Sequence, residues 1–194
     1  MKPLLILGLA ALLACSAVAD SRLPAEARRQ IGVTVSYDPA YVQLAYPGGD
    51  VPMDRGVCTD VVIRALRRLG LDLQKAVHED MAANFAAYPK NWGLKRPDKN
   101  IDHRRVPNLR TYFTRQGWAL PVTNNPQDYL PGDLVTCNVA PALPHIFIVS
   151  DVKTPSGAPL IIHNIGSGTQ EEAGLFDFEL TGHYRPILRR NIKP

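Results

Sequence analysis

Apolar residues between positions 58 and 69 recur at helical spacing. Val61, Val62, Ala65, Leu66 and Leu69 share one face, and Arg64, Arg67 and Arg68 take the other, so this stretch is predicted to be the strongest helix. Gly70 follows it as a natural C-terminal cap. A second helix is predicted over 75–87, where Val77, Met81 and Phe85 form a row. A short one is predicted over 24–31, with Pro24 suited to its first turn, and another over 108–116, ended by Gly117. Two stretches lack a period: 36–53, rich in Tyr, Pro, Gly and Asp, and 88–107. Beyond Gly117 the pattern shortens. Segments 133–137, 146–150, 160–163, 175–180 and 184–188 read as strands, punctuated by Pro131-Gly132, Pro155-Ser156-Gly157 and Gly166-Ser167-Gly168. Helices first and consecutive strands later imply an α+β domain with a mostly antiparallel sheet.

The N-terminus departs from this scheme. Lys2 precedes an apolar run over 4–13, and Ala17-Val18-Ala19 leads into Asp20. One positive charge, a short apolar stretch and small residues at the end describe a secretory signal peptide over 1–19. The run is shorter than the ~20 residues that span a bilayer. Leu12-Leu13-Ala14-Cys15 also resembles a bacterial lipobox, so two processing sites compete. The expected product is an exported protein, periplasmic or secreted. It begins either at Asp20 or at a lipid-anchored Cys15, and it is not integral to a membrane.

The remaining 20–194 suits a single domain, expected to act as a monomer. Hydrophobic residues are 45% and charged residues 21%, which argues against disorder. The net charge of +4 is mild and spread along the chain, with no dense basic run among aromatics. Nucleic acid is therefore not an expected partner. A mildly basic surface does suit an anionic polymer.

Three residues carry the candidate chemistry. Cys58 follows Gly56-Val57 and opens the strongest helix. A helix N-terminus carries partial positive charge, which is expected to lower the thiol pKa, and its free N–H groups suit an oxyanion. His145 opens the strand expected at 146–150, and His163 ends the next one. A turn signal at 154–157 lies between them, so an antiparallel hairpin brings both histidines to one end. That is the arrangement a base and its orienting partner need.

Gly-Val-Cys-Thr-Asp at 56–60, Pro-Gly-Asp-Leu-Val at 131–135, Pro-His-Ile at 144–146 and His-Asn-Ile-Gly at 163–166 resemble the motifs of an exported bacterial family. So do Asn-Ile-Asp-His-Arg-Arg-Val-Pro-Asn-Leu at 100–109 and Gly-His-Tyr-Arg at 182–185. That family is catalogued as domain of unknown function 1287. It in turn resembles a distant branch of the NlpC-type papain-like cysteine hydrolases. The resemblance implies a papain-like fold with N-terminal helices packed on the sheet. The family positions fall on Cys58, Asp133, His145 and His163, although Val57-Cys58-Thr59 replaces the usual Asp-Cys-Ser. Cys58 is then the nucleophile, His145 the base and His163 its orienting partner.

Other readings compete. A Cys58–Cys137 disulfide removes the nucleophile. A zinc site from Cys58, His145 and His163, with His183, lacks close-pair ligand spacing, so no metal or organic cofactor is expected. Asp102, His103, Arg104 and Arg105 form a polar loop whose arginines suit a substrate carboxylate, and His103 is a rival base. Structural salt bridges explain the same arginines. Asp60 reads as a helix-dipole partner, Asp133 as a turn residue, and Trp92 and Trp118 as packing residues. The expected activity is hydrolysis of an amide bond in peptidoglycan stem peptides. The alternative is a non-catalytic envelope protein that binds cell-wall peptide in the same cleft.

Overall fold

The computed structural model describes residues 19–188. Cys15 and all of the expected signal peptide except Ala19 lie outside the described residues. The helices come first: α1 (Leu23–Arg28), α2 (Cys58–Arg68), α3 (Leu73–Ala83) and α4 (Val106–Arg115). Two short strands, β1 (Ser36–Tyr37) and β2 (Arg55–Gly56), form a small parallel pair before α2. The rest is β3 (Ala119–Leu120), β4 (Leu134–Ala140), β5 (Leu143–Lys153), β6 (Pro159–Asn164), β7 (Thr169–Glu172) and β8 (Glu179–Tyr184). These six make one sheet in the order β3-β8-β4-β5-β6-β7, with every neighbouring pair antiparallel. The domain is therefore mixed α and β with a mostly antiparallel sheet.

Strand alternation divides the core in two. Leu134, Ile146, Ile148 and Ile162 face the helices and pack with Cys58, Val61, Val62 and Leu66. Val135, Cys137, Phe147, Val149 and Ile161 face the other way and pack with Tyr129 and Leu175. Fully burying a Val, Leu or Ile side chain contributes about 1.5–3 kcal/mol, so the α2–sheet contact is the main anchor of the fold. Trp118 stacks on Phe113, with ring centroids 5.3 Å apart, and ties the end of α4 to the sheet.

Helix α2 is more enclosed than its sequence pattern suggests. Every residue from Cys58 to Leu66 is buried, Arg64 included. The aperiodic segment before it folds over the polar face. There Arg64 binds the Asp50 carboxylate at 3.0 Å and donates to the carbonyls of Val51, Pro52 and Arg55. Gly70 ends the helix with φ +93°.

Three expectations need correction. The helix expected over 75–87 starts at Leu73 and stops at Ala83, because the Asn84 side chain turns back to the Asp80 carbonyl and a 3₁₀ turn follows. No strand occupies 175–178. Leu175 plugs the second core from a loop, and the strand runs over Glu179–Tyr184 instead. Residues 185–188 are irregular. Arg185 donates its backbone N–H to the Trp118 carbonyl at 2.8 Å, and its side chain is held by Asp133 at 2.7 and 2.8 Å.

Candidate active site

Helix α2 begins with a built cap. Asp60, in its first turn, reaches back to accept the Val57 N–H at 2.7 Å. Gly56 is small for the same reason: a Cβ there would lie 3.0 Å from the Asp60 carboxylate. Arg104 then clamps both Asp60 oxygens, at 2.9 Å each, in an ion pair that is almost completely buried. Arg104 also donates to the carbonyls of Ala40 and Asp38. The cap and this pair hold Cys58 where it is.

Cys58 is itself buried, but it reaches the floor of a cleft of about 340 Å³. The walls of the cleft include Tyr37, Trp92, Arg104, Arg105, Leu143 and Pro144. The backbone N–H groups of Ile146 and Thr59 face the sulfur. Ile146 is the residue after His145, so the sulfur lies against the start of β5. Burial nevertheless pushes the thiol up to about 12. This reverses the fall expected from the helix start, because loss of water around a thiolate outweighs the helix dipole and two N–H groups. Burial and the neighbouring Cys58 likewise push the Tyr37 phenol up to about 12. Tyr37 was not singled out in the sequence, where an irregular tyrosine carries no signal.

The expected hairpin is present. β5 and β6 pair with Ile148 opposite Ile162. Continuing that register sets His163 opposite Phe147, and the two histidines meet on the diagonal. His145 Nε2 lies 2.9 Å from His163 Nδ1, and His163 Nε2 lies 2.8 Å from Glu172 Oε1. Glu172 comes from β7, a strand the sequence pattern missed. Among the described residues, His145 Nδ1 has no hydrogen bond. Burial and the adjacent His163 lower the His145 pKa to about 3, so its ring is neutral at physiological pH.

The two cysteines are free and sit on opposite faces of the sheet. Cys137 is the cross-strand partner of His145 and shares its face. Cys58 approaches the same stretch of β5 from the helix side, so the structure brings His145 together with His163 and Glu172 but does not join them to the thiol: neither histidine lines the cleft, and among the described residues no hydrogen bond links either ring to the Cys58 sulfur. Cys137 is fully buried and lines no part of the cleft.

The polar loop divides. Arg104 is committed to Asp60. Arg105 stacks over Trp92, its guanidinium carbon 4.0 Å from the ring centroid, and makes one bond to Asp102 at 3.3 Å. Asp102 is buried and also accepts the Asp98 N–H. His103 is buried, its Nδ1 has no partner, and it does not line the cleft. Asp133 lies elsewhere, bound by His183 at 2.8 Å and by Arg185. Among the described residues, no group of three or more His, Cys, Asp or Glu side chains could hold a metal ion. No described helix is long and apolar enough to cross a membrane.

The buried histidines predict acid sensitivity. Burial lowers His103 to about 4, as it lowers His145 to about 3, against an ordinary value of 6.5. Below 6.5 the unfolded chain takes up protons that the folded chain refuses. The stability these two groups confer is therefore complete above that pH and lost as pH falls toward 4 and 3. The slope is about 1.4 kcal/mol per pH unit for each histidine. Urea unfolding at pH 7, 6 and 5 checks this, and His103→Leu should roughly halve the slope. Equal stability at pH 7 and pH 5 contradicts it.

Comparison with known proteins places the chain. The family described as a domain of unknown function (DUF1287) matches residues 24–186. An uncharacterized protein of Escherichia coli (strain K12), YijF, is 61% identical over 163 residues, covering 84% of this chain and 80% of that protein. The chain belongs to the DUF1287 family.

Proposed function

We propose that the protein is an exported cysteine-nucleophile amide hydrolase of the papain-like, NlpC-type kind, acting on peptidoglycan stem peptides. One observation carries the reading. A thiol at the start of α2 lines the floor of a cleft and lies against Ile146, the residue after a histidine whose Nε2 is hydrogen-bonded to a second histidine.

The resting site is a neutral thiol beside a neutral imidazole. As the Cys58 sulfur attacks the amide carbonyl, its proton passes to His145 Nδ1, a transfer that has to cross from the helix side of β5 to the face that His145 shares with Cys137. The carbonyl oxygen becomes an oxyanion facing the Cys58 N–H at the start of α2, which has no helical partner. His145 returns the proton to the nitrogen as the C–N bond breaks. The amine leaves and a thioester remains. Water, deprotonated by His145, then cleaves the thioester and releases the acid. Arg105 has donors to spare at the cleft wall, which suits the free carboxylates of stem peptides. Export rests on the sequence of residues 1–19.

The raised thiol pKa favours a second reading, a non-catalytic protein that binds cell-wall peptide in this cleft. Digestion of purified peptidoglycan separates the two. Wild type is expected to release fragments with new amine and carboxyl termini, and Cys58→Ala none. Wild type that retains peptide and cuts nothing selects the binding reading.

A further inference from the structure

The hydrogen bond between His145 and His163 has two possible directions. In one, His145 Nε2 donates and its Nδ1 is bare. In the other, His163 Nδ1 donates, the His145 proton sits on Nδ1, and no lone pair is left there. When each ring carries a single proton, a 2.9 Å contact has no intrinsic preference between these.

Glu172 removes the ambiguity. It is the last residue of β7, opposite Ile161 in the ladder, and so projects to the face that carries Phe147 and His163. Its neighbour Glu171 makes different contacts, with Arg28 and Ser150. Glu172 Oε1 lies 2.8 Å from His163 Nε2, and a carboxylate can only accept. His163 must then carry its proton on Nε2. Its Nδ1 becomes an acceptor, His145 Nε2 becomes the donor, and His145 Nδ1 is left as a lone pair.

We propose that Glu172 is a positioning residue that sets the tautomers of both histidines and so holds His145 Nδ1 free. Its importance for turnover rests on the reading of His145 as the base. The tautomer assignment does not. The Glu172 side chain is 51% exposed, so it can be replaced without opening the core.

The sharpest variant is Glu172→Lys. An ammonium can only donate, so it pulls the His163 proton to Nδ1, reverses the central hydrogen bond and protonates His145 on Nδ1. Long-range ¹H–¹⁵N spectra of histidine-labelled protein at neutral pH report this directly. In wild type both Nδ1 atoms are expected at unprotonated shifts and both Nε2 atoms at protonated ones. In Glu172→Lys all four assignments exchange. Glu172→Gln, whose carbonyl oxygen still accepts, keeps the wild-type pattern.

On a stem-peptide substrate, Glu172→Gln should stay within about tenfold of wild type. Glu172→Lys should lose roughly 10³–10⁴-fold, the scale of a wrong tautomer at a triad histidine. Glu172→Ala should fall between them. A merely structural Glu172 would leave the nitrogen shifts unmoved, and an unchanged pattern in folded Glu172→Lys overturns the proposal. Exchanged shifts in a protein whose wild type hydrolyses nothing uphold the tautomer assignment and overturn the hydrolase reading instead.

Discussion

Replacing His145 by alanine is expected to lower kcat/KM on a defined stem peptide by roughly four orders of magnitude or more, with Cys58→Ala comparable. The reason is the resting protonation state. With the thiol pushed up to about 12, no standing thiolate exists at neutral pH. Attack therefore depends on a base that takes the proton as the bond forms, and His145 Nδ1 has no other hydrogen bond among the described residues. His163→Asn should retain measurable activity, because its amide oxygen still accepts from His145 Nε2, while His163→Ala should lose more. The control is Cys137→Ala, on the far face of the sheet from Cys58. It should change kcat/KM by less than about tenfold while costing on the order of 1 kcal/mol as a small core truncation. The result that sinks this assignment is a dead Cys137→Ala beside an active Cys58→Ala. The nucleophile would then be the cross-strand neighbour of His145.

The largest expected effect on stability lies at Arg104. Arg104→Met is expected to cost about 3–5 kcal/mol, since it strands the Asp60 carboxylate in the interior with little more than the Val57 N–H to bind. At 2–4 °C per kcal/mol for a domain of this size, the melting temperature should fall by roughly 10 °C. Arg105→Met, one residue on, should cost less than Arg104→Met, because it loses one 3.3 Å bond to Asp102 rather than a two-oxygen clamp, and Asp102 keeps the Asp98 N–H. The double variant Asp60→Asn/Arg104→Met should recover much of the loss, since no charge is then left unpaired. Urea unfolding of the four proteins decides it, and an Arg104→Met melting like wild type means the pair contributes nothing. The same contrast reads on function. Arg104 would act through the helix start it braces, whereas Arg105 would alter substrate affinity at a smaller cost in stability.

Much of the fold was legible because it is written in short-range periodicity. The 3.6-residue spacing of Val61, Val62, Ala65, Leu66 and Leu69 marks α2, and the apolar runs around the 154–157 turn mark the β5–β6 hairpin. The turn brings His145 and His163 to one end of the hairpin, but a register shift between Val149 and Lys153, which no sequence pattern marks, sets the pairing that lets them meet. Three further features were not legible. The edge strand Thr169–Glu172 is polar along its length and shows no apolar alternation, whereas the stretch 175–180, expected as a strand, is more apolar and becomes one only from Glu179. The partnership of Asp60 with Arg104 spans 44 residues, and no local pattern distinguishes a buried arginine from a solvated one. Last is the thiol. That Cys58 opens a helix follows from the local pattern of residues, and a helix start lowers a thiol pKa. How deeply the sulfur lies under the loops and against β5 depends on how distant segments pack. Desolvation depends on everything packed around a group, so it can override a field that comes from one helix alone.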